Sequence, residues 1–139
     1  MKTVICDHLI RGSRPGYPNS NVPARVVQAW VDAAIAKGAR SVLCLLDPSE
    51  VDGYYTSVPG GLLGVYRANG LTVAHLPVLD PVSDADDEKS RQGLAAIAAE
   101  YDRLPHPVLV HCSAGVVRTG CAVRHLLARE GLTPWDSEE

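Results

Sequence analysis

The chain has 139 residues, 46% of them hydrophobic and 21% charged, the size and mix of one globular domain able to bury a core. Its net charge is −3 and it carries no run of Lys or Arg, so bulk electrostatics hold neither a nucleic acid nor an acidic membrane, and any anion it binds must be gripped locally. A charge and a His within residues 1–8 interrupt any secretory core, and no apolar run reaches the roughly 18 residues of a membrane span, so a cytoplasmic protein is expected.

In chain order, short β-rich runs alternate with longer helical patterns, without repeats or linkers, which predicts a single α/β domain over residues 1–139. Extended segments are expected at 3–6 and 9–11, followed by a loop over 12–19, where Gly, Pro, Ser and Asn crowd together. Pro23 suits a first helical turn, Val26, Val27, Trp30, Val31, Ala34 and Ile35 share one helical face, and Gly38 stops the helix. The apolar run 41–46, ended by Asp47-Pro48, reads as a buried parallel strand, and 71–76 and 107–111 read alike.

A helix over 59–69 is expected despite Gly60, Gly61 and Gly64. Leu94, Ile97, Ala98, Tyr101 and Leu104 mark another, with Ser83 and Asp86 available as caps. A last helix should run from about Arg118 to Arg129 and stop at Gly131, leaving 132–139 either as a disordered tail or as a curtailed helix opened by Thr133 and Pro134.

The chemistry concentrates between the strand ending at His111 and that last helix, in the loop Cys112-Ser113-Ala114-Gly115-Val116-Val117-Arg118. A helix N-terminus offers unpaired N–H groups and roughly half a positive charge. Small Ser113, Ala114 and Gly115 let backbone N–H groups, with those of Val116 and Val117, converge on one anion, and Arg118 adds a planar fork matched to two phosphate oxygens. The same field lowers the pKa of Cys112, and a thiolate facing a phosphate monoester can attack phosphorus to give a phosphocysteine.

Those residues resemble the signature of the protein tyrosine phosphatase superfamily: His111-Cys112, five residues, Arg118-Thr119, with a loop close to that of its tyrosine-specific members. Arg11-Gly12-Ser13-Arg14-Pro15 is similar to a segment near the start of compact dual-specificity-like phosphatases, the architecture that so short a chain implies. The resemblance implies a mostly parallel sheet of four to five strands flanked by helices, with Cys112 as nucleophile and Arg118 as clamp. It further implies that Thr119 assists breakdown of the phosphocysteine, that His111 supports the loop, and that no metal or cofactor takes part. It also implies a general acid Asp about thirty residues before the Cys. Asp80, 32 residues before Cys112 and just after a strand, is the first candidate, Asp84 the reserve, and Asp86 and Asp87 read as helix-start residues.

Val117 departs from the Gly usual in tyrosine-specific relatives, and the loop lacks the Lys of relatives acting on polyphosphoinositides. The expected partner is therefore a phosphorylated protein or small ester carrying a single phosphate, with a monomer as the default state. Arg11 and Arg14 are expected to be structural or at the surface, with a place at the border of the pocket as the alternative, and Tyr54 and Tyr55 to be exposed turn aromatics, with a stretch overhanging the site as the alternative. Cys6, Cys44 and Cys121 read as packed free thiols, with a Cys44–Cys112 disulfide under oxidation as the alternative for Cys44. A non-catalytic phosphate-binding module and a rhodanese-type sulfurtransferase are the competing functions.

Overall fold

A computed structural model describes residues 3–6, 8–77 and 88–132. Ten elements follow one another: β1 (Thr3–Cys6), β2 (Leu9–Gly12), α1 (Ala24–Ala36), β3 (Ser41–Cys44), α2 (Pro48–Tyr54), α3 (Gly61–Ala68), β4 (Thr72–His75), α4 (Glu88–Arg103), β5 (Val108–His111) and α5 (Val117–Arg129). The sheet order is β1-β2-β5-β3-β4, with β2, β5, β3 and β4 parallel and β1 antiparallel on the β2 edge. This is the α/β architecture expected from the alternating pattern.

Alternation along each strand divides the interior into two layers. Leu43, Val108 and Val110 face α4 and α5, where Ile97, Tyr101, Val123, Leu126 and Leu127 are buried. Val42, Cys44 and Leu109 face the opposite way, onto Val27, Trp30 and Val31 of α1 and Leu62 and Tyr66 of α3. Central β3 and β5 are buried at every position. Their C-terminal ends, with that of β2, converge on the loop 112–116.

Several local expectations are corrected. Pro23 caps α1 in an extended conformation instead of opening it, because its own backbone carbonyl accepts from Val26 and Val27. Ile35 is 43% exposed, since Val27, Trp30, Val31 and Ala34 alone fill the inward face. The strand at 71–76 is not fully buried: β4 has β3 on one side only, and Thr72 is exposed. Helix α2 occupies a segment for which no helix was expected, and α3 forms within 59–69 despite its glycines. The proposed caps Ser83 and Asp86, and residues 133–139, lie outside the described residues.

Candidate active site

Cys112 follows β5 directly and is 3% exposed at the base of the loop. Burial by itself disfavours a thiolate, but three effects outweigh it: the Thr119 hydroxyl, the backbone N–H groups of Thr119 and Gly115, and the charge of Arg118. The net result is a thiol pKa below the ordinary value. Thr119 Oγ1 is fully buried and finds no partner of ordinary geometry, which leaves its proton for the Cys112 sulfur.

Arg118 is held from outside the loop. Its Nη1 and Nη2 donate to Glu50 Oε1 and Oε2 at 2.8 and 3.0 Å, a bidentate pair, and both side chains are largely buried. Glu50 also completes a capping box on α2: Asp47 Oδ1 accepts from the Glu50 N–H at 2.9 Å, and Glu50 Oε1 accepts from the Asp47 N–H at 3.0 Å. One carboxylate thus starts a helix and fixes the orientation of the guanidinium, whose pKa rises chiefly through its bond to Glu50. The sequence reading missed Glu50. Asp47-Pro48-Ser49-Glu50 carries a legible capping signal, but its partner across the sheet does not show in the local pattern.

His111 is wholly buried between Tyr66 and Trp30. Burial, above all, lowers its pKa to about 4, so it is neutral near pH 7. Its Nδ1 lies 3.0 Å from the Cys112 carbonyl oxygen, which can only accept; Nδ1 therefore carries the proton, and Nε2 accepts from the Tyr66 hydroxyl at 2.9 Å. These bonds fix the backbone at the nucleophile and leave the ring no proton to exchange at the sulfur.

The segment after β2 forms a bed for the loop. Gly115 has φ +77°, and a Cβ there would lie 2.5 Å from the Gly12 carbonyl oxygen, so both conformation and contact require glycine. Arg14 is 2% exposed; its backbone N–H donates to the Ser113 carbonyl at 2.9 Å and its Nε to Ser113 Oγ at 3.1 Å. The guanidinium stacks 4.0 Å from the centroid of Tyr54 and donates Nη2 to the Asn19 carbonyl. Tyr55, expected in an exposed turn, is buried and donates its hydroxyl to the Pro15 carbonyl at 2.7 Å. Trp30 Nε1 donates to the Ser13 carbonyl at 3.1 Å, tying α1 to the same bed.

Ser113, Ala114 and Gly115 are half-buried, while Val116 and Val117 stand 63% and 52% exposed. Helix α5 begins at Val117, one residue before the expected start, which brings its first turn directly onto the loop. Asp80 and Asp84, with Asp86 and Asp87, lie outside the described residues. Cys44, Cys112 and Cys121 are free thiols. No group of three or more metal-ligating side chains occurs among the described residues, and no helix there is long and apolar enough to cross a membrane.

No protein-family model matches the sequence, and no curated protein does. Solved structures do. Kinase associated phosphatase, with its catalytic-site cysteine replaced by serine, is 19% identical at a TM-score of 0.56, covering 83% of this chain and 67% of that one. The PTP-2 phosphatase of Cydia pomonella is 19% identical at 0.57, covering 94% of this chain and 71% of that one. The chain shares the fold of these two phosphatase structures. A DUF442 protein of Shewanella putrefaciens CN-32, described as a phosphatase, shares this phosphatase fold at 21% identity and 0.52, over 88% of this chain and 74% of that one.

Proposed function

We propose that the protein is a phosphomonoester hydrolase of the tyrosine or dual-specificity type, working through a phosphocysteine. The observation that carries this reading is a buried cysteine at the base of a tight loop between β5 and the start of α5, with Gly115 seated against the Gly12 carbonyl and Arg118 gripped by Glu50. The Cys112 thiolate attacks phosphorus, forming the S–P bond as the P–O bond to the leaving group breaks. Arg118 and the N–H groups of residues 113–117 take up the charge on the phosphoryl oxygens, and Asp80 gives its proton to the leaving oxygen. Water then attacks phosphorus and gives a proton to the Asp80 carboxylate, the S–P bond breaks, and the Thr119 hydroxyl donates a hydrogen bond to the departing Cys112 thiolate.

Exposed Val116 and Val117 give the loop an apolar flank that suits an aryl ester. The three free thiols among the described residues fit a reducing, cytoplasmic setting. The first test is steady-state hydrolysis of para-nitrophenyl phosphate from pH 4.5 to 8.5 with a chelator present. Cys112→Ser should lose at least about three orders of magnitude, and Asp80→Asn should flatten the basic limb. A wild-type chain that binds phosphate or vanadate without turnover would establish a phosphate-binding module instead.

A further inference from the structure

Two carbonyl groups of the loop after Cys112 are held by residues 11–14. The Ser113 carbonyl accepts from the Arg14 backbone N–H at 2.9 Å, and the Gly115 carbonyl accepts from Arg11 Nη2 at 2.8 Å. The first bond is made by main chain, the second by a half-buried side chain reaching across from β2. The peptide units 113–114 and 115–116 are both trans. In a trans unit the C=O and the N–H point in opposite directions. A carbonyl drawn outward onto residues 11–14 therefore turns the N–H that follows it, of Ala114 or of Val116, toward the other side of the loop. On that side the Gly115 and Thr119 N–H groups meet the Cys112 sulfur.

Local sterics do not dictate how the 115–116 unit is turned. Gly115 lacks a Cβ, so the plane that follows it can turn over at little cost unless a group outside the loop grips it. Val116, next in the chain, is the N-cap of α5 and makes no side-chain cap bond, since valine has no oxygen to offer. Its N–H lies outside the helical ladder and is left for a guest. Arg11 is the group that grips the unit. It pairs with no carboxylate among the described residues, so none competes with the Gly115 carbonyl for its charge. A cation on the C=O of a peptide also polarises the N–H at its other end and makes that N–H the better donor.

We propose that Arg11 is a positioning residue: through the Gly115 carbonyl it sets the Val116 N–H on the oxyanion that the loop receives. It acts through the backbone, by fixing one donor of the cradle, and not by touching the substrate. The kinetic consequence rests on the phosphatase reading; the effect on anion binding does not. Arg124 supplies an internal comparison. A Cβ built on Gly120 would lie 3.6 Å from Arg11 Nη2 and 3.6 Å from Arg124 Nη1, so both guanidinium tips reach the same point of α5. Yet Arg124 places its Nη2 3.3 Å from Cys121 Sγ and, among the described residues, holds no loop carbonyl.

The test titrates inorganic phosphate into the isotope-labelled full chain and follows the Ala114 and Val116 amide protons by NMR, in wild type, Arg11→Met, Arg11→Lys and Arg124→Gln. In wild type both protons should move downfield as phosphate saturates the loop. Arg11→Met should lose most of the Val116 displacement, keep that of Ala114, and bind phosphate about tenfold more weakly. Its loss in kcat/KM for para-nitrophenyl phosphate should be at least as large. Arg11→Lys, which keeps the charge without the planar fork, should fall between the two, and Arg124→Gln should match wild type. If Arg11→Met does not fold, Arg11→Lys carries the test, and a reduced Val116 displacement beside an unchanged one at Ala114 is required of it.

Three results in the variants overturn the assignment. A full Val116 displacement in Arg11→Met removes the coupling, equal losses at Ala114 and Val116 make Arg11 a general support of the fold, and the same loss in Arg124→Gln makes it a source of unspecific positive field. A wild-type Val116 amide that does not respond to phosphate overturns it as well. If wild type gives the expected displacements but leaves para-nitrophenyl phosphate unhydrolysed, the phosphatase reading falls and the positioning role of Arg11 in anion binding stands.

Discussion

Cys44 ends β3 and Cys112 directly follows the neighbouring parallel β5, with Cys44 opposite His111 in the register of the two strands. Both are buried, yet their thiols move in opposite directions. Burial pushes Cys44 up to about 12, with only the Leu46 N–H as a backbone donor against it. At Cys112 the same penalty is overcome, and the thiol is lowered. Burial therefore does not distinguish a structural cysteine from a reactive one; the donors aimed at sulfur do. At Cys112 those donors are the first turn of α5 and an arginine fixed by α2.

The contrast should be largest in alkylation. With iodoacetamide at pH 6.5, Cys112 should react at least about a hundredfold faster than Cys44 by mass-mapped kinetics, and vanadate should protect Cys112 alone. Comparable rates at the two sulfurs would remove the basis of the contrast. A smaller change is expected from Glu50→Gln, which retains a capping residue at the third helical position but removes the charge gripping Arg118. Loss of about 2 kcal/mol of charge-assisted bonding predicts about a thirtyfold fall in kcat/KM for para-nitrophenyl phosphate, with α2 retained by circular dichroism.

Thr119→Ala should bring the two cysteines closer together. Because the hydroxyl favours the thiolate, its removal raises the Cys112 pKa, and both the alkylation profile and the acid limb of turnover shift to higher pH. Alkylation at pH 6.5 should slow measurably in the variant as the thiolate fraction falls. An unmoved profile would assign the acidity to the backbone donors and Arg118 alone.

Much of this arrangement is legible in the sequence because it is periodic or contiguous. The apolar runs of β3 and β5, the face of α1 and the loop from Cys112 to Arg118 are all local patterns. What escaped the reading depends on partners far along the chain. Asp47-Pro48 reads only as the end of a strand, and the grip of Glu50 on Arg118 appears only once β3 and β5 are paired. Arg14, left between a structural and a surface role, proves structural, and Tyr55 reads as an exposed turn aromatic because nothing near it in sequence signals that its hydroxyl will be buried against the Pro15 carbonyl. Periodicity likewise marks 71–76 as a strand without saying that it will lie at an edge.

The seating of Gly115 against the Gly12 carbonyl has a consequence for any attempt to transplant the chemistry. The nine residues from His111 to Thr119 are not a portable cassette, since their curvature is moulded on a segment from the opposite end of the chain. Grafted onto another strand–helix junction without residues 12–14, the motif would keep its letters and lose its shape.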